Sequence, residues 1–159
     1  MRSAVLVVDD EHGLRELLTR WLAGAQYTAL EAKSAEEALE VLEQSKDIRM
    51  VVADLQMPGN GGAWLVDQMR QRFPSTAVLL ATADDSVPGT LSLQPSVVGY
   101  LVKPLVRDQM LRLVAEGVRR SDELVEKARL RSATDPIDTF LDRKLTHGKG
   151  EPGDGHDPS

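Results

Sequence analysis

Short apolar runs alternate with stretches of helical periodicity along most of the chain. The runs are continuous and rich in β-branched residues, which is typical of strands buried on both faces. The five predicted strands are Ala4–Val8, Tyr27–Ala32, Met50–Ala53, Ala77–Ala81 and Val97–Val102. Because helical patterns separate these strands and the connections are short, we predict an α/β fold with a parallel sheet covered by helices on both faces.

The helical patterns differ in how clearly they begin and end. Leucines and a tryptophan follow the first strand at spacings of three and four, as in an amphipathic helix. Ser34 and Glu37 form a capping box before the second helix. The third helix is predicted over Ala63–Phe73 and ends before a proline. Between the fourth and fifth strands, Pro88 and Pro95 bracket few helix-compatible residues, which predicts a short, irregular fourth helix.

The last helix is predicted to run beyond the sheet. It begins near Leu105 and carries a thinning apolar stripe to about Arg131. Thr134 or Asp135 then provides a cap for a separate short helix with Pro136 in its first turn. The predicted divisions are a globular domain over 1–119, a helical extension over 120–146 and a disordered tail over 147–159.

Composition narrows the range of functions. The absence of cysteine excludes disulfides, thiolate nucleophiles and cysteine-ligated metal centres. A net charge of −6 gives no basic surface for nucleic acid or an anionic membrane. No apolar run approaches the roughly 20 residues of a membrane span, and the first residues do not form a signal peptide. We therefore expect a cytoplasmic protein with no membrane insertion and no direct contact with nucleic acid.

Polar residues stand at the carboxyl ends of four predicted strands. Asp9 and Asp10 follow the first strand, Asp54 ends the third, and Thr82 and Lys103 follow the fourth and fifth. Alone, each has an ordinary structural explanation, as helix-start acids, a turn former, a strand-end hydroxyl or a solvated loop charge. In a parallel sheet, however, these ends meet at one edge, which is where ligands bind.

Three carboxylates at one edge need positive charge nearby. Two carboxylates about 4 Å apart repel by roughly 4 kcal/mol at an effective dielectric near 20. One lysine cannot balance three such charges, and oxygen-only ligands favour Mg²⁺ or Mn²⁺. A hard cation beside an aspartate, a hydroxyl and an ammonium suits phosphoryl transfer, in which an aspartate attacks phosphorus to form an acyl phosphate.

Four motifs carry a family resemblance over about residues 1–119. They are VLVVDDE (Val5–Glu11), ADLQMPGNGG (Ala53–Gly62), LLATA (Leu79–Ala83) and GYLVKPL (Gly99–Leu105). In this order and spacing, the chain resembles the receiver domain of bacterial two-component response regulators. The resemblance implies a flavodoxin-like fold and phosphorylation of one aspartate by a sensor histidine kinase or a phosphotransfer protein.

The resemblance also implies roles for individual residues. Asp54 matches the phosphoacceptor. Asp9 and Asp10 match the acidic pair that holds Mg²⁺ together with Asp54, and the second acid of the pair usually contacts the metal. Gln56 matches the position whose backbone carbonyl is a further metal ligand.

The remaining matches concern the switch. Thr82 matches the hydroxyl residue that turns toward the phosphoryl group, and Lys103 matches the lysine that contacts it. Pro104 matches a proline that commonly follows a cis peptide bond. Tyr100 matches an aromatic residue that rotates with the hydroxyl, although a tyrosine near a strand end is most often half-buried packing.

Two segments depart from the family pattern. Asn60 and Gly61 stand where many members have Met and Asp. Residues Asp84–Ser96 lack the regular fourth helix of the family. This second departure puts in doubt the usual dimerisation and docking role of the surface around the fourth helix and the fifth strand.

Three functions remain open from the sequence. The first is a phospho-accepting receiver that signals by protein–protein contact, since the roughly 40 residues after the domain hold no helix-turn-helix pattern or basic cluster. The second is an enzyme, a phosphotransferase or phosphatase with an aspartate nucleophile. Such an enzyme needs a general acid–base two residues after the nucleophile, and Gln56 at that position argues against it. The third is a scaffold that works without phosphorylation. The last helix could pair two chains or be a solvated helix, and the downstream partner is not identified.

Overall fold

The computed structural model describes residues 2–84, 89–92 and 94–147, and only the backbone of Thr90, Ser92 and residues 134–147. Strands and helices alternate along it as the sequence predicts. The elements are β1 (Ala4–Val8), α1 (His12–Gly24), β2 (Thr28–Ala32), α2 (Ala35–Gln44), β3 (Ile48–Asp54), α3 (Gly62–Arg72), β4 (Ala77–Thr82), α4 (Gly89–Ser92), β5 (Val97–Val102) and α5 (Arg107–His147). Within the described residues, no helix has both the length and the apolarity to cross a membrane.

The five strands form one parallel sheet in the order β2-β1-β3-β4-β5. The order along the sheet reverses between β1 and β3, which places the topological switch point at the centre of the sheet. Every residue of β1 is buried, as its continuous apolar run predicts. The predicted flavodoxin-like α/β fold is therefore confirmed, and its switch point lies beside Asp9 and Asp54.

Helices cover both faces of the sheet. Alternate residues of β1 point to opposite faces, so Leu6 belongs to one apolar cluster and Val7 to the other. Helices α2 and α3 supply the first cluster, with buried residues such as Leu39 and Leu65. Helices α1 and α5 supply the second cluster, with residues such as Leu22. Burial on both faces holds the strand ends in fixed positions.

Helix starts and strand limits follow local chemistry. The Ser34 hydroxyl accepts a hydrogen bond from the Glu37 N–H at 3.1 Å, as the capping box predicts. Strand β3 begins at Ile48, two residues before the predicted start at Met50. The prediction began later because a charged residue interrupts the apolar run before Met50. That residue, Arg49, pairs at the surface with the carboxylate of Asp122. Strand β2 begins one residue later than predicted, and β4 extends one residue further.

The predicted break in the last helix is wrong. A proline inside a helix removes one hydrogen bond and costs about 3 kcal/mol, so the sequence predicted a new helix start near Thr134. The structure instead has one helix, α5, whose backbone continues through Pro136. Residues 131–147 contain no glycine, so Pro136 is the only strong helix breaker in that stretch of sequence.

The described part of the chain divides after Glu123 into two compact units, while the predicted boundary at 119 stays a prediction. Residues 148–159 of the predicted disordered tail lie outside the described residues.

Helix α5 is fastened to the amino-terminal edge of the sheet by three consecutive residues. Each binds a different segment that leads into or begins a strand. The contacts are Arg120 Nη1 to the Pro95 carbonyl (3.2 Å), Ser121 Oγ to the Ser75 carbonyl (2.6 Å) and Asp122 Oδ1 to Arg49 Nε (3.0 Å). Ser121 is fully buried, and this bond gives its hydroxyl a partner inside the fold.

Candidate functional site

The carboxyl edge of the sheet gathers the residues that the sequence singled out. Strand β1 leads into Asp9, β3 ends at Asp54, β4 ends at Thr82, and β5 leads into Lys103. Because all strands are parallel, these ends meet on one side of the sheet. The Lys103 N–H also donates to the Thr82 carbonyl at 2.7 Å, so the ends of β4 and β5 are joined.

Asp54 is held in place through both carboxylate oxygens. Its Oδ1 accepts the backbone N–H of Gln56 at 3.0 Å, and its Oδ2 lies 2.9 Å from the Lys103 ammonium. The side chain is 6% exposed. The next residue, Leu55, donates its N–H to the Ala81 carbonyl at 2.7 Å, which continues the pairing of β3 with β4. The carboxylate therefore has a fixed orientation with one edge toward Lys103.

The loop after Asp54 packs closely on the end of β3. A Cβ added to Gly61 would lie 2.6 Å from the Leu55 carbonyl oxygen. A Cβ on Gly62 would lie 2.8 Å from the Asp54 carbonyl oxygen and 3.1 Å from Leu80 Cδ2. Neither position accepts a side chain without movement of backbone. Gly61 and Gly62 thus allow the loop to approach the end of β3 closely.

Asp9 lies beside Asp54 and is also buried. Its Oδ1 accepts the Glu11 N–H at 2.9 Å, and its Oδ2 lies 3.4 Å from the Lys103 ammonium. Burial raises the pKa of the Asp9 carboxyl above its ordinary value, against the opposing effects of the Glu11 N–H and Lys103; the charge of Asp54 raises it further. A cation at this place would favour the ionised form.

Lys103 is the positive partner of both buried acids. Burial alone would lower the pKa of its ammonium, but the hydrogen bond and charge of Asp54, and then those of Asp9, outweigh burial and raise it. The ammonium therefore stays protonated at neutral pH. The peptide bond between Lys103 and Pro104 is cis.

Thr82 and Tyr100 are the two residues of the predicted switch. The Thr82 hydroxyl is buried, donates to the Asp84 carbonyl at 2.8 Å and accepts the Asp84 N–H at 3.2 Å. Tyr100 is 38% exposed on β5. The structure thus brings Asp9, Asp54 and Lys103 into contact, whereas the hydroxyl of Thr82 bonds to its own loop.

The acidic residues fit a hard divalent cation. Asp9, Asp10 and Asp54 each offer a carboxylate oxygen, and these oxygens lie within 4.8 Å of one another. Asp10 is exposed whereas the other two are buried, so the group opens to solvent on one side. Three ionised carboxylates with one ammonium leave a net charge of −2, which a divalent cation with oxygen ligands would balance.

Comparison with known proteins identifies the family. Residues 5–115 match the sequence model of the response regulator receiver domain. The chain belongs to this family. The resemblance that the four motifs carry is therefore confirmed over most of the chain.

Receivers within longer regulators are among its relatives. The chain is 35% identical over 123 residues to the DNA-binding transcriptional regulator NtrC of Escherichia coli (strain K12), covering 77% of this chain and 26% of NtrC. It is 38% identical over 118 residues to the response regulator protein FleR of Pseudomonas aeruginosa, covering 72% of this chain and 24% of FleR. The chain thus spans about a quarter of the length of these relatives.

Solved receiver structures have the same fold. A response regulator receiver domain from Clostridium thermocellum superposes with a TM-score of 0.71 at 23% identity, over 77% of this chain and 98% of that one. The response regulator TrrA from Thermotoga maritima, in complex with Mg²⁺-BeF, superposes with a TM-score of 0.65 at 30% identity, over 72% of this chain and 98% of that one.

One buried residue of this receiver escaped the sequence analysis. Arg15 lies on the buried face of α1 with Leu18 and Leu22, and its Nη1 donates to the backbone carbonyl of Asp9 at 2.7 Å. The signal was present in the sequence, because Arg15 occupies the same helical stripe as those two leucines. A charged residue on an apolar stripe next to candidate site residues predicts a specific partner.

Proposed function

We propose that this chain is a phospho-accepting receiver in two-component signal transduction, phosphorylated on Asp54 by a histidine kinase or a phosphotransfer protein. The observation that carries the proposal is the buried Asp54 carboxylate, which accepts the Gln56 N–H and the Lys103 ammonium. Asp9 and Asp10 offer carboxylate oxygens within 4.8 Å of its own. Family membership supports the same reading.

The chain's own residues supply the chemistry of transfer. An oxygen of Asp54 attacks the phosphorus of a phosphohistidine; the new O–P bond forms as the N–P bond breaks, and the histidine nitrogen takes up a proton. The Lys103 ammonium, 2.9 Å from that carboxylate, is placed to neutralise the phosphoryl oxygens. Because these groups come from the receiver itself, a small phosphodonor such as acetyl phosphate can replace the kinase.

Mg²⁺ would be held by the carboxylates of Asp9, Asp10 and Asp54 and by the backbone carbonyl of Gln56. When bound, it supplies positive charge to the phosphoryl oxygens. When no cation is bound, the ion pairs of Lys103 with Asp9 and Asp54 partly compensate the charge of the two buried acids.

The switch proposal concerns Thr82. Its hydroxyl now exchanges two hydrogen bonds with the backbone of Asp84. A phosphoryl group adds about −1.5 to −2 charges and new acceptor oxygens, to which the hydroxyl can donate instead. Neutral hydrogen bonds contribute about 1 kcal/mol each and charge-assisted ones roughly twice that, so exchanging two neutral bonds for one charge-assisted bond leaves the free energy nearly unchanged. Moving the equilibrium from mostly off to mostly on requires about 5.5 kcal/mol of differential interaction. The contact of the phosphoryl group with Lys103 would supply part of it.

We further propose that the phosphorylated form signals by protein–protein contact. Tyr100 and Val102 on β5, and Val106 after it, are exposed apolar residues close in sequence to Lys103. Apolar residues exposed together are typical of protein-binding sites. The relatives that bind DNA are about four times longer than the matched region, so their output is not transferred to this chain.

Acetyl phosphate labelling tests the proposal. The full chain is incubated with acetyl phosphate and Mg²⁺, and intact mass spectrometry counts phosphoryl groups. We expect one group on the unaltered chain and on the control Asp67→Asn, which changes an exposed aspartate of α3. We expect none on Asp54→Asn or after chelation of Mg²⁺. Equal labelling of Asp54→Asn would place the acceptor elsewhere, and the absence of labelling throughout would favour a scaffold that works without phosphorylation.

A further inference from the structure

We propose that Arg15 is a positioning residue for the metal site, which it serves by fixing the loop between β1 and α1 without touching the metal. The inference rests on the proposed binding of Mg²⁺ by Asp9, Asp10 and Asp54. It concerns a side chain that is buried, charged and next to that site, and that phosphoryl transfer itself does not use.

The surroundings of Arg15 are unusual for a buried cation. Its Nη1 donates to the Asp9 carbonyl at 2.7 Å, and its Nη2 lies 3.3 Å from His12 Nδ1. Its Nε is 3.9 Å from a carboxylate oxygen of Glu31 and, among the described residues, is one of two buried side-chain polar atoms without a hydrogen-bond partner. Burying a guanidinium without a close carboxylate partner is costly, and an apolar residue would complete the buried stripe of α1 at lower cost.

The geometry at Asp9 shows what Arg15 achieves. The peptide unit is planar, so the Asp9 carbonyl and the N–H of Asp10 turn together. A hydrogen bond that fixes this carbonyl therefore fixes the direction in which the chain enters Asp10. On the other side of the residue, the Asp9 N–H donates to the Ala32 carbonyl at 3.2 Å. Arg15 thus completes the constraint on a loop that carries two of the three acids.

Removing Arg15 would have two opposite effects on the affinity for Mg²⁺. Loss of a positive charge near the acids would strengthen the binding of a cation. Loss of the hydrogen bond to Asp9 would let the loop move and weaken binding, and outer contacts of this kind typically change metal affinity by roughly tenfold or more. The positioning role predicts that the second effect exceeds the first.

Calorimetric titration of Mg²⁺ into the full chain decides between them. We expect Arg15→Met to bind Mg²⁺ roughly tenfold more weakly than the unaltered chain. Arg15→Lys, whose ammonium can donate to the same carbonyl, should recover most of that loss. The control is Arg20→Met, which removes an exposed arginine from the same helix and should leave the affinity within about twofold.

The outcomes separate the two proposals. If the unaltered chain binds no Mg²⁺, the proposed function fails. If it binds Mg²⁺ and Arg15→Met binds it equally well or more tightly, the positioning role is overturned, as it is if Arg15→Lys is as weak as Arg15→Met. A purely structural role would lower stability without Mg²⁺ but leave the affinity unchanged. Should Arg15→Met not fold, Arg15→Gln gives the same comparison, since its amide is two bonds shorter and uncharged.

Discussion

Gly117 tests how tightly α5 packs on the sheet. A Cβ at this position would overlap the Met50 sulfur, lie 2.8 Å from Met50 Cε and lie 3.4 Å from Ala77 Cβ. Met50 is fully buried, so its flexible side chain can make room only by repacking against its core neighbours. Replacing glycine by alanine inside a helix normally stabilises by about 1 kcal/mol. Overpacking a close-packed core costs about 1–3 kcal/mol. We therefore expect Gly117→Ala to lower the free energy of unfolding by about 1 kcal/mol.

Urea unfolding followed by far-ultraviolet circular dichroism measures this effect. The matched control is Gly13→Ala in α1, where an added Cβ meets nothing within 4 Å and the same substitution should stabilise. Met50→Val removes the two atoms that the methyl group would meet. In that background Gly117→Ala should become stabilising, with a coupling of about 2 kcal/mol between the two sites. The packing explanation is refuted if Gly117→Ala stabilises the unaltered chain as much as Gly13→Ala does, or if the two substitutions are additive.

Three further predictions concern stability. Ser121→Ala should lower the free energy of unfolding by about 1 kcal/mol because it removes the hydrogen bond from the buried Ser121 hydroxyl to the Ser75 carbonyl; an unchanged urea midpoint would contradict this. Ser34→Ala should cost about 1 kcal/mol through loss of the cap of α2, whereas Ser34→Asp should keep most of it; equal losses would be inconsistent with capping. Burial raises the pKa of the Tyr27 phenol above its ordinary value of 10.0, so on raising the pH the unfolded chain loses this proton before the folded chain does. The free energy of unfolding therefore falls as the pH rises from about 10 toward the pKa of the folded state. Tyr27→Phe should show a smaller loss between pH 9 and pH 11 in urea titrations, and parallel curves would argue against this assignment.

Topology made the acids of the site predictable from sequence. Once Ala4–Val8 and Ile48–Asp54 are read as neighbouring parallel strands, Asp9 and Asp54 must meet at one edge. The spacing of Lys103 after β5 places it at the same edge by the same rule. The shared edge follows from the direction of the strands, which short helical connections determine, whereas the order of the strands in the sheet comes from the structure.

Features that depend on single side-chain contacts were not predictable in this way. The hydroxyl of Thr82 bonds to Asp84 because the backbone turns back at that point, and the strand pattern does not encode that turn. The bond from Arg15 to the Asp9 carbonyl depends on how α1 packs against β1. Helix α5 continues through Pro136 although local propensity favours a break. In the first two cases local backbone geometry or packing determines the contact, whereas the continuation of α5 through Pro136 has no structural explanation among the described residues.

The place at which Arg120, Ser121 and Asp122 hold α5 on the sheet has a consequence for protein engineering. These contacts are made at the amino-terminal ends of the strands, whereas Asp54 and its neighbours stand at the carboxyl ends. The length of the strands therefore separates these anchor points of α5 from the reactive aspartate. A designer who wished to loosen or tighten the hold on α5 could change these three residues and leave the contacts of Asp54 in place.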